Sequence, residues 1–148
     1  MMEIEIISQH NLMPLTELTL ALWPDSSLEE ELENWKSILL SEKEICYLVV
    51  KESVYIAFIH LSLRFDYVEG ADSSPTAYVE GLFVKEEYRK LGIAKILMRA
   101  AEKWAMQKGC TQLASDAELN NSTSIQFHQH IGFSETNRIV CFIKELTE

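Results

Sequence analysis

Two groups of residues in this sequence could do chemistry. The first is Arg89-Lys90-Leu91-Gly92-Ile93-Ala94, followed by Lys95, between an apolar run and a long amphipathic stretch. Backbone N–H groups at the start of a helix lack partners within it and attract anions. Gly92 and the small Ala94 would let a phosphate approach the backbone, while Arg89, Lys90 and Lys95 add positive charge. The spacing is neither that of a Walker loop nor that of a dinucleotide-binding GxGxxG turn. A tight strand–helix turn alone would use the same residues. The second group centres on Glu80 in TAYVEGLFV, where a carboxylate inside an apolar run needs a partner or a water-filled cleft. Asp116 ends the next strand-like segment, ASD, at the kind of strand terminus where sheets of this class bind ligands. Two carboxylates there would hold a cationic amine; Asp116 could equally cap a turn.

Charge and composition narrow the classes of function. The chain has 148 residues, which predicts a single domain over 1–148 with a core that needs neither disulfides nor metals. Thirteen Lys/Arg against 23 Asp/Glu give a net charge of −10, which excludes the basic footprint of a nucleic-acid binder and suits a cationic small molecule. Residues 85–108 run the other way, with seven Lys/Arg against three Glu, leaving six against twenty elsewhere. Such an island suits a second, anionic ligand, or simply a solvated helix face. Cys46, Cys110 and Cys141 are odd in number and widely spaced, so neither a disulfide framework nor a zinc site is expected. Cys46 and Cys141, in apolar runs, are expected in the core. His10, His60, His128 and His130 show no metal-ligand spacing beyond one HxH. No long apolar run predicts a membrane span, and MMEIEIISQH lacks the basic and apolar regions of a signal peptide, so the expected location is cytoplasmic.

The elements that must position these residues follow from periodicity. Residues 3–7 predict a short strand, and Leu12, Leu15, Leu18 and Leu22 a helix capped by Asn11 and ended before Pro24. Ser27 with Glu30 opens a second helix to about Leu40. Runs 45–50 and 54–63 form a hairpin around Lys51-Glu52-Ser53, 64–75 is a polar loop, and 76–84 is a strand with a bulge at Glu80-Gly81. A long helix follows Gly92 and stops at Gly109; then come a strand at 111–116, a helix at 121–131 and a last strand at 138–146. The order predicts an α/β (α+β) fold: a mixed, mostly antiparallel sheet with one parallel crossover and helices on both faces.

With its bulged strand and RxxGxA loop, the sequence resembles the GCN5-related N-acetyltransferase superfamily. Asn121 through Phe133 fits that family's N-x-x-A-x-x-x-Y-x-x-x-G-F pattern, with Ser124 for Ala and His128 for Tyr. The resemblance implies acetyl-CoA as co-substrate and no metal. It puts the pyrophosphate on Arg89 to Lys95 and the pantetheine arm along Leu82, Phe83 and Val84, which splay from the next strand. It also puts contacts at Asn121 and Ser124. N–H groups near Phe83 would polarise the thioester carbonyl. His128 stands where many members have a tyrosine that protonates the departing thiolate; it could donate a proton or make only a structural hydrogen bond.

Over nearly the whole chain the sequence is similar to one subgroup, the bacterial aminoglycoside 6′-N-acetyltransferases. LWPD (22–25), RFDYVEGADSSP (64–75), YVEGLFV (78–84), ASD (114–116) and NSTSIQFHQHIGF (121–133) carry the likeness. It implies an acetyl transfer from acetyl-CoA to the 6′-amine within a ternary complex, conferring antibiotic resistance. Trp23, Tyr67, Glu80, Asp116 and Asn137 would contact the polycationic drug, and Glu80 and Asp116 would orient the amine while its proton leaves through water. Asn137 replaces a glutamate of some relatives, and Phe142 replaces a tyrosine suggested as general acid. Members are often homodimers that join or exchange C-terminal strands. Two other readings fit the residues: the same fold acting on a polyamine or peptide amine, and a non-catalytic acyl-CoA-binding module.

Overall fold

The computed structural model describes residues 1–147. The backbone falls into two compact units, the first running from Met1 to Ser115 and the second from Asp116 onward.

Period-two alternation builds the sheet of the first unit. Its strands are β1 (Met2–Ile6), β2 (Glu44–Lys51), β3 (Val54–Arg64), β4 (Thr76–Val84) and β5 (Leu113–Ala114), in the spatial order β1-β2-β3-β4-β5. The first four are antiparallel, and β4–β5 is parallel. The β2–β3 hairpin turns on Glu52 and Ser53, both with positive φ (49° and 69°), the geometry that matches strand twist. β3 runs one residue further than its apolar run predicts and so takes Arg64 out of the loop.

The bulge at Glu80-Gly81 is present. His60 pairs with Gly81 and Leu61 with Val79, so Glu80 is the extra residue on β4. β4 and β5 touch only at Ala77–Leu113 and Tyr78–Ala114. β5 is thus shorter than the predicted 111–116, and beyond Tyr78 the outer edge of β4 has no strand beside it among the described residues.

Helices α1 (Leu12–Leu22) and α2 (Leu28–Leu39) cover one face of the sheet, and α3 (Ile93–Gln107) covers the other. Leu12, Leu15 and Leu18 of α1 and Trp35 and Ile38 of α2 bury against Cys46, Leu48 and Phe58. Ser27 caps α2, its hydroxyl accepting from the Glu30 N–H at 3.2 Å, and three glutamates in the first turn complement the helix dipole. Trp35, 2% exposed, donates its indole N–H to Thr19 Oγ1 at 2.8 Å, and that hydroxyl donates to the Leu15 carbonyl at 2.8 Å. This locks α2 to α1. Thr19→Val leaves the indole N–H buried without a partner and should cost about 1–3 kcal/mol in urea unfolding. A loss below about 0.3 kcal/mol would contradict this account of the helix pair.

The second unit holds α4 (Ser122–His130), capped by Asn121 and followed by Gly132 at φ 103°. Residues 138–146, expected as the last strand, form no ladder with any described residue. A strand exists only by pairing, and this stretch has the alternation without the partner. Cys141, expected in the core, is exposed for the same reason; Cys46 and Cys110 are buried.

Candidate active site

The bulge aims Glu80 into a cleft of about 440 Å³ in the first unit. Its walls are Trp23 after α1; Glu31, Asn34, Trp35, Ser37 and Ile38 of α2; Glu44 of β2; His60 of β3; and Glu80 of β4. Its volume is ordinary for a small-molecule site, and its lining mixes aromatic, apolar and polar side chains.

Glu80 has the partner that its place in an apolar strand demands. The Arg64 guanidinium grips both carboxylate oxygens, Nε at 3.0 Å and Nη2 at 2.8 Å, and the Ser62 hydroxyl donates to Oε2. Arg64 in turn lies 3.4 Å over the Tyr78 ring. Burial alone would raise the pKa of Glu80, but the hydrogen bonds from Arg64 and Ser62, with the charges of Arg64 and His60, outweigh it and hold the carboxyl below its usual range. The stabilisation is complete above the ordinary carboxylate range and is lost as pH falls through the lowered value. At neutral pH Glu80 is a fixed negative charge and a poor proton acceptor.

Trp23 reaches the bulge from the end of α1. A Cβ on Gly81 would lie 2.9 Å from its Cη2, so only glycine lets the indole settle there. Gly81→Ala must push the indole off the cleft wall, raising the acceptor KM roughly three- to tenfold, as for an aromatic contact worth about 1 kcal/mol, with CoA affinity unchanged. An unaltered acceptor KM would remove Trp23 from the acceptor's surroundings. Tyr67 lies outside this lining; it is 81% exposed on its loop and donates its hydroxyl to Glu69 at 2.7 Å.

At the other end of β4 the chain makes its anion loop. Lys90 and Gly92 have positive φ (64° and 81°), and Gly92 caps α3 with no side chain over the helix end. The first bond into the helix runs from the Ile96 N–H to the Gly92 carbonyl at 3.1 Å, which leaves the N–H groups of Ile93, Ala94 and Lys95 without intrahelical partners. These groups, with the exposed Lys90, Leu91 and Lys95, can receive an anion. Arg89 serves the loop itself, its Nε donating to the Val84 carbonyl at 2.8 Å. That bond takes one of the two lone pairs of the Val84 carbonyl.

In the second unit, Asn121 uses its side-chain oxygen to accept from the Ser124 N–H at 3.0 Å. His128 Nδ1 lies 2.7 Å from the Ser124 carbonyl. A carbonyl only accepts, so Nδ1 carries the proton in the neutral ring, and Nε2 can donate only from the imidazolium form. Asn137 accepts from the Arg138 N–H at 2.8 Å, a local turn, and Asp116 is exposed.

Ser62, Arg64, His60, Glu44, Glu31 and Asn34 were not singled out from sequence. The signal was available for three: His60, Ser62 and Arg64 alternate along one face of β3, polar residues in an otherwise apolar strand. Among the described residues no three metal-ligating side chains cluster, and no helix is long and apolar enough to cross a membrane.

Residues 12–133 match the acetyltransferase (GNAT) family. An aminoglycoside N(6′)-acetyltransferase type 1 of Serratia marcescens is 37% identical over 97% of this chain and 99% of its own length. One from Acinetobacter haemolyticus is 37% identical over 98% and 99%. Among solved structures, AAC(6′)-Iy in complex with the bisubstrate analogue CoA-S-monomethyl-acetylneamine superposes with a TM-score of 0.95 at 34% identity, covering 99% of each chain. AAC(6′)-Ih from Acinetobacter baumannii gives a TM-score of 0.92 at 38% identity, over 99% of this chain and 100% of that one. With the bulged strand, the splayed edge and the open helix start already in place, these likenesses establish that the chain belongs to the GNAT acetyltransferase family.

Proposed function

We propose that this protein is an aminoglycoside 6′-N-acetyltransferase that uses acetyl-CoA as acetyl donor and thereby confers resistance. The observation that carries the reading is the bulge, which sets an ionised Glu80 in a carboxylate-lined cleft on a strand whose outer edge is unpaired beyond Tyr78. The near full-length relatives named for this activity support it.

Bound acetyl-CoA would supply an activated acetyl group as a thioester. The N–H groups of Ile93, Ala94 and Lys95, with the Lys90 and Lys95 charges, would hold its pyrophosphate, and the backbone of Leu82, Phe83 and Val84 would hold the pantetheine arm; Asn121 and Ser124 are contacts that the resemblance implies. Glu80 would hold the acceptor ammonium in place, Trp23 would pack on a sugar ring and Tyr67 would add a contact; Asp116 and Asn137 are acceptor contacts that the resemblance implies. Glu80 is too acidic to take the amine proton itself, so the proton would leave through water before the nitrogen attacks. His128 would return a proton to the thiolate from its imidazolium form.

Thiol release from acetyl-CoA tests the substrate class. Neomycin should be turned over with kcat/KM at least a hundredfold above spermidine or a lysine peptide. Preference for spermidine or the peptide would keep the family and move the substrate. No release with any amine would favour an acyl-CoA-binding module.

The location is proposed as cytoplasmic and the assembly as a homodimer. Residues 138–146 support the dimer: Phe142, Ile143 and Leu146 are 91%, 94% and 89% exposed on an alternating segment without a ladder. A second copy of the same segment or sheet edge would bury them. Light scattering should give two chains per particle, and deletion of 138–148 should give one; a monomeric full-length protein would overturn the assembly.

A further inference from the structure

His60 sits in the cleft but has no part in the scheme above. It is the one cleft-lining side chain, among the described residues, that ordinarily changes charge near neutral pH. Its Nε2 lies 3.0 Å from Glu44 Oε1. A carboxylate only accepts, so the neutral ring keeps its proton on Nε2 and bears a lone pair on Nδ1. Among the described residues Nδ1 has no hydrogen-bond partner and no buried side-chain polar atom lacks one, so Nδ1 is open to solvent. The ring is held edge-on to Trp35 with centroids 5.1 Å apart. Protonation at Nδ1 therefore needs no rearrangement and adds a full positive charge to the cleft wall.

We propose that His60 sets the pH dependence of acceptor binding. Neutral His60 leaves the Glu44 charge uncancelled toward a polycationic aminoglycoside; protonated His60 cancels it and repels the ammonium groups. The charges facing the ring from its neighbours support this assignment. Arg64, on the same strand, and Glu80 of β4 are bound to each other and cancel. Cys46, opposite His60 on β2, is fully buried, which pushes its thiol up and keeps it neutral. What remains is Glu44 of β2 and Glu31 of α2, both lining the cleft. The state of His60 thus changes the sum of three charges by one.

This inference rests on assigning the cleft to the acceptor. The test is the pH profile of KM and kcat for neomycin, wild type against His60→Gln, at saturating acetyl-CoA. Glutamine keeps an N–H for Glu44 but cannot titrate. In the wild type, KM should rise roughly tenfold between the pH at which His60 is neutral and the pH at which it is protonated, as for one added charge near a bound ammonium in partly screened surroundings. The kcat should change little over the same step. In His60→Gln that KM step should vanish. The same step in both proteins, or a step in kcat alone, would overturn the role of His60. A wild type inactive with every aminoglycoside would instead overturn the function itself. If the variant fails to fold, the wild type decides. Linkage requires that saturating neomycin lower the NMR titration midpoint of His60 by about one pH unit, the counterpart of a tenfold affinity change. An unmoved midpoint would refute the proposal.

Discussion

Glu80→Gln should lower kcat/KM for an aminoglycoside roughly 10- to 10²-fold, the scale for removing one partner of a half-buried charge pair that solvent still screens. The carboxylate does two jobs that the amide cannot do. It accepts a charge-assisted hydrogen bond from the acceptor ammonium at the bulge, and it neutralises Arg64, whose fork spans both its oxygens. Without it the Arg64 charge beside the cleft loses its Glu80 counter-charge where the substrate brings cations, so the acceptor is held less well and repelled more. Donor binding should be nearly untouched, because the anion loop at Gly92 lies beyond the C-terminal end of β4, twelve residues on from Glu80. Calorimetric CoA affinity within about twofold of wild type, beside the lost turnover, is the expected pair of results. Equal losses in both would place Glu80 in the donor site or in the folding of the sheet. A loss under threefold would remove it from the acceptor site.

Gly92→Val should have the opposite signature. At φ 81° a β-branched residue is strained, at a cost of about 1–3 kcal/mol, so the turn must shift or the strain must be borne. A Cβ there would touch no protein atom within 4 Å, so the valine side chain would occupy the open space beside the helix start. Both effects fall on the N–H groups of Ile93, Ala94 and Lys95. CoA affinity should fall about ten- to a hundredfold, the range spanned by that strain, with the acceptor KM unchanged at saturating acetyl-CoA. Gly92→Asn separates the causes, since asparagine tolerates a left-handed backbone. It should recover most of the stability but only part of the CoA affinity. Unchanged CoA affinity in the valine variant would refute the loop as the anion site.

What could be read from the sequence depended on whether the physics was local. The helix from Leu12 was legible because its leucines repeat at helical spacing and proline stops it, and the helix from Leu28 because Ser27 caps it. The bulge was legible because Glu80-Gly81 breaks an apolar run in a way that few structures tolerate. The partner of Glu80 was not, because Arg64 reaches it only through the β3–β4 register, sixteen residues away, and had been assigned to a loop. The Glu44–His60 pair was hidden for the same reason, being formed across the hairpin. The bond from Arg89 to the Val84 carbonyl, five residues back, was hidden too, because the turn between them sets it. Residues 138–146 read as a strand because alternation reports an apolar surface, not the partner that would cover it.

The central claim is acetyl transfer to the 6′-amine, and one comparison meets it directly. Neomycin and paromomycin differ at the 6′ carbon, which bears an amine in the first and a hydroxyl in the second. Thiol release from acetyl-CoA should run with neomycin and fall at least a hundredfold in kcat/KM with paromomycin. Comparable rates with both would show that the acetyl group goes to another amine.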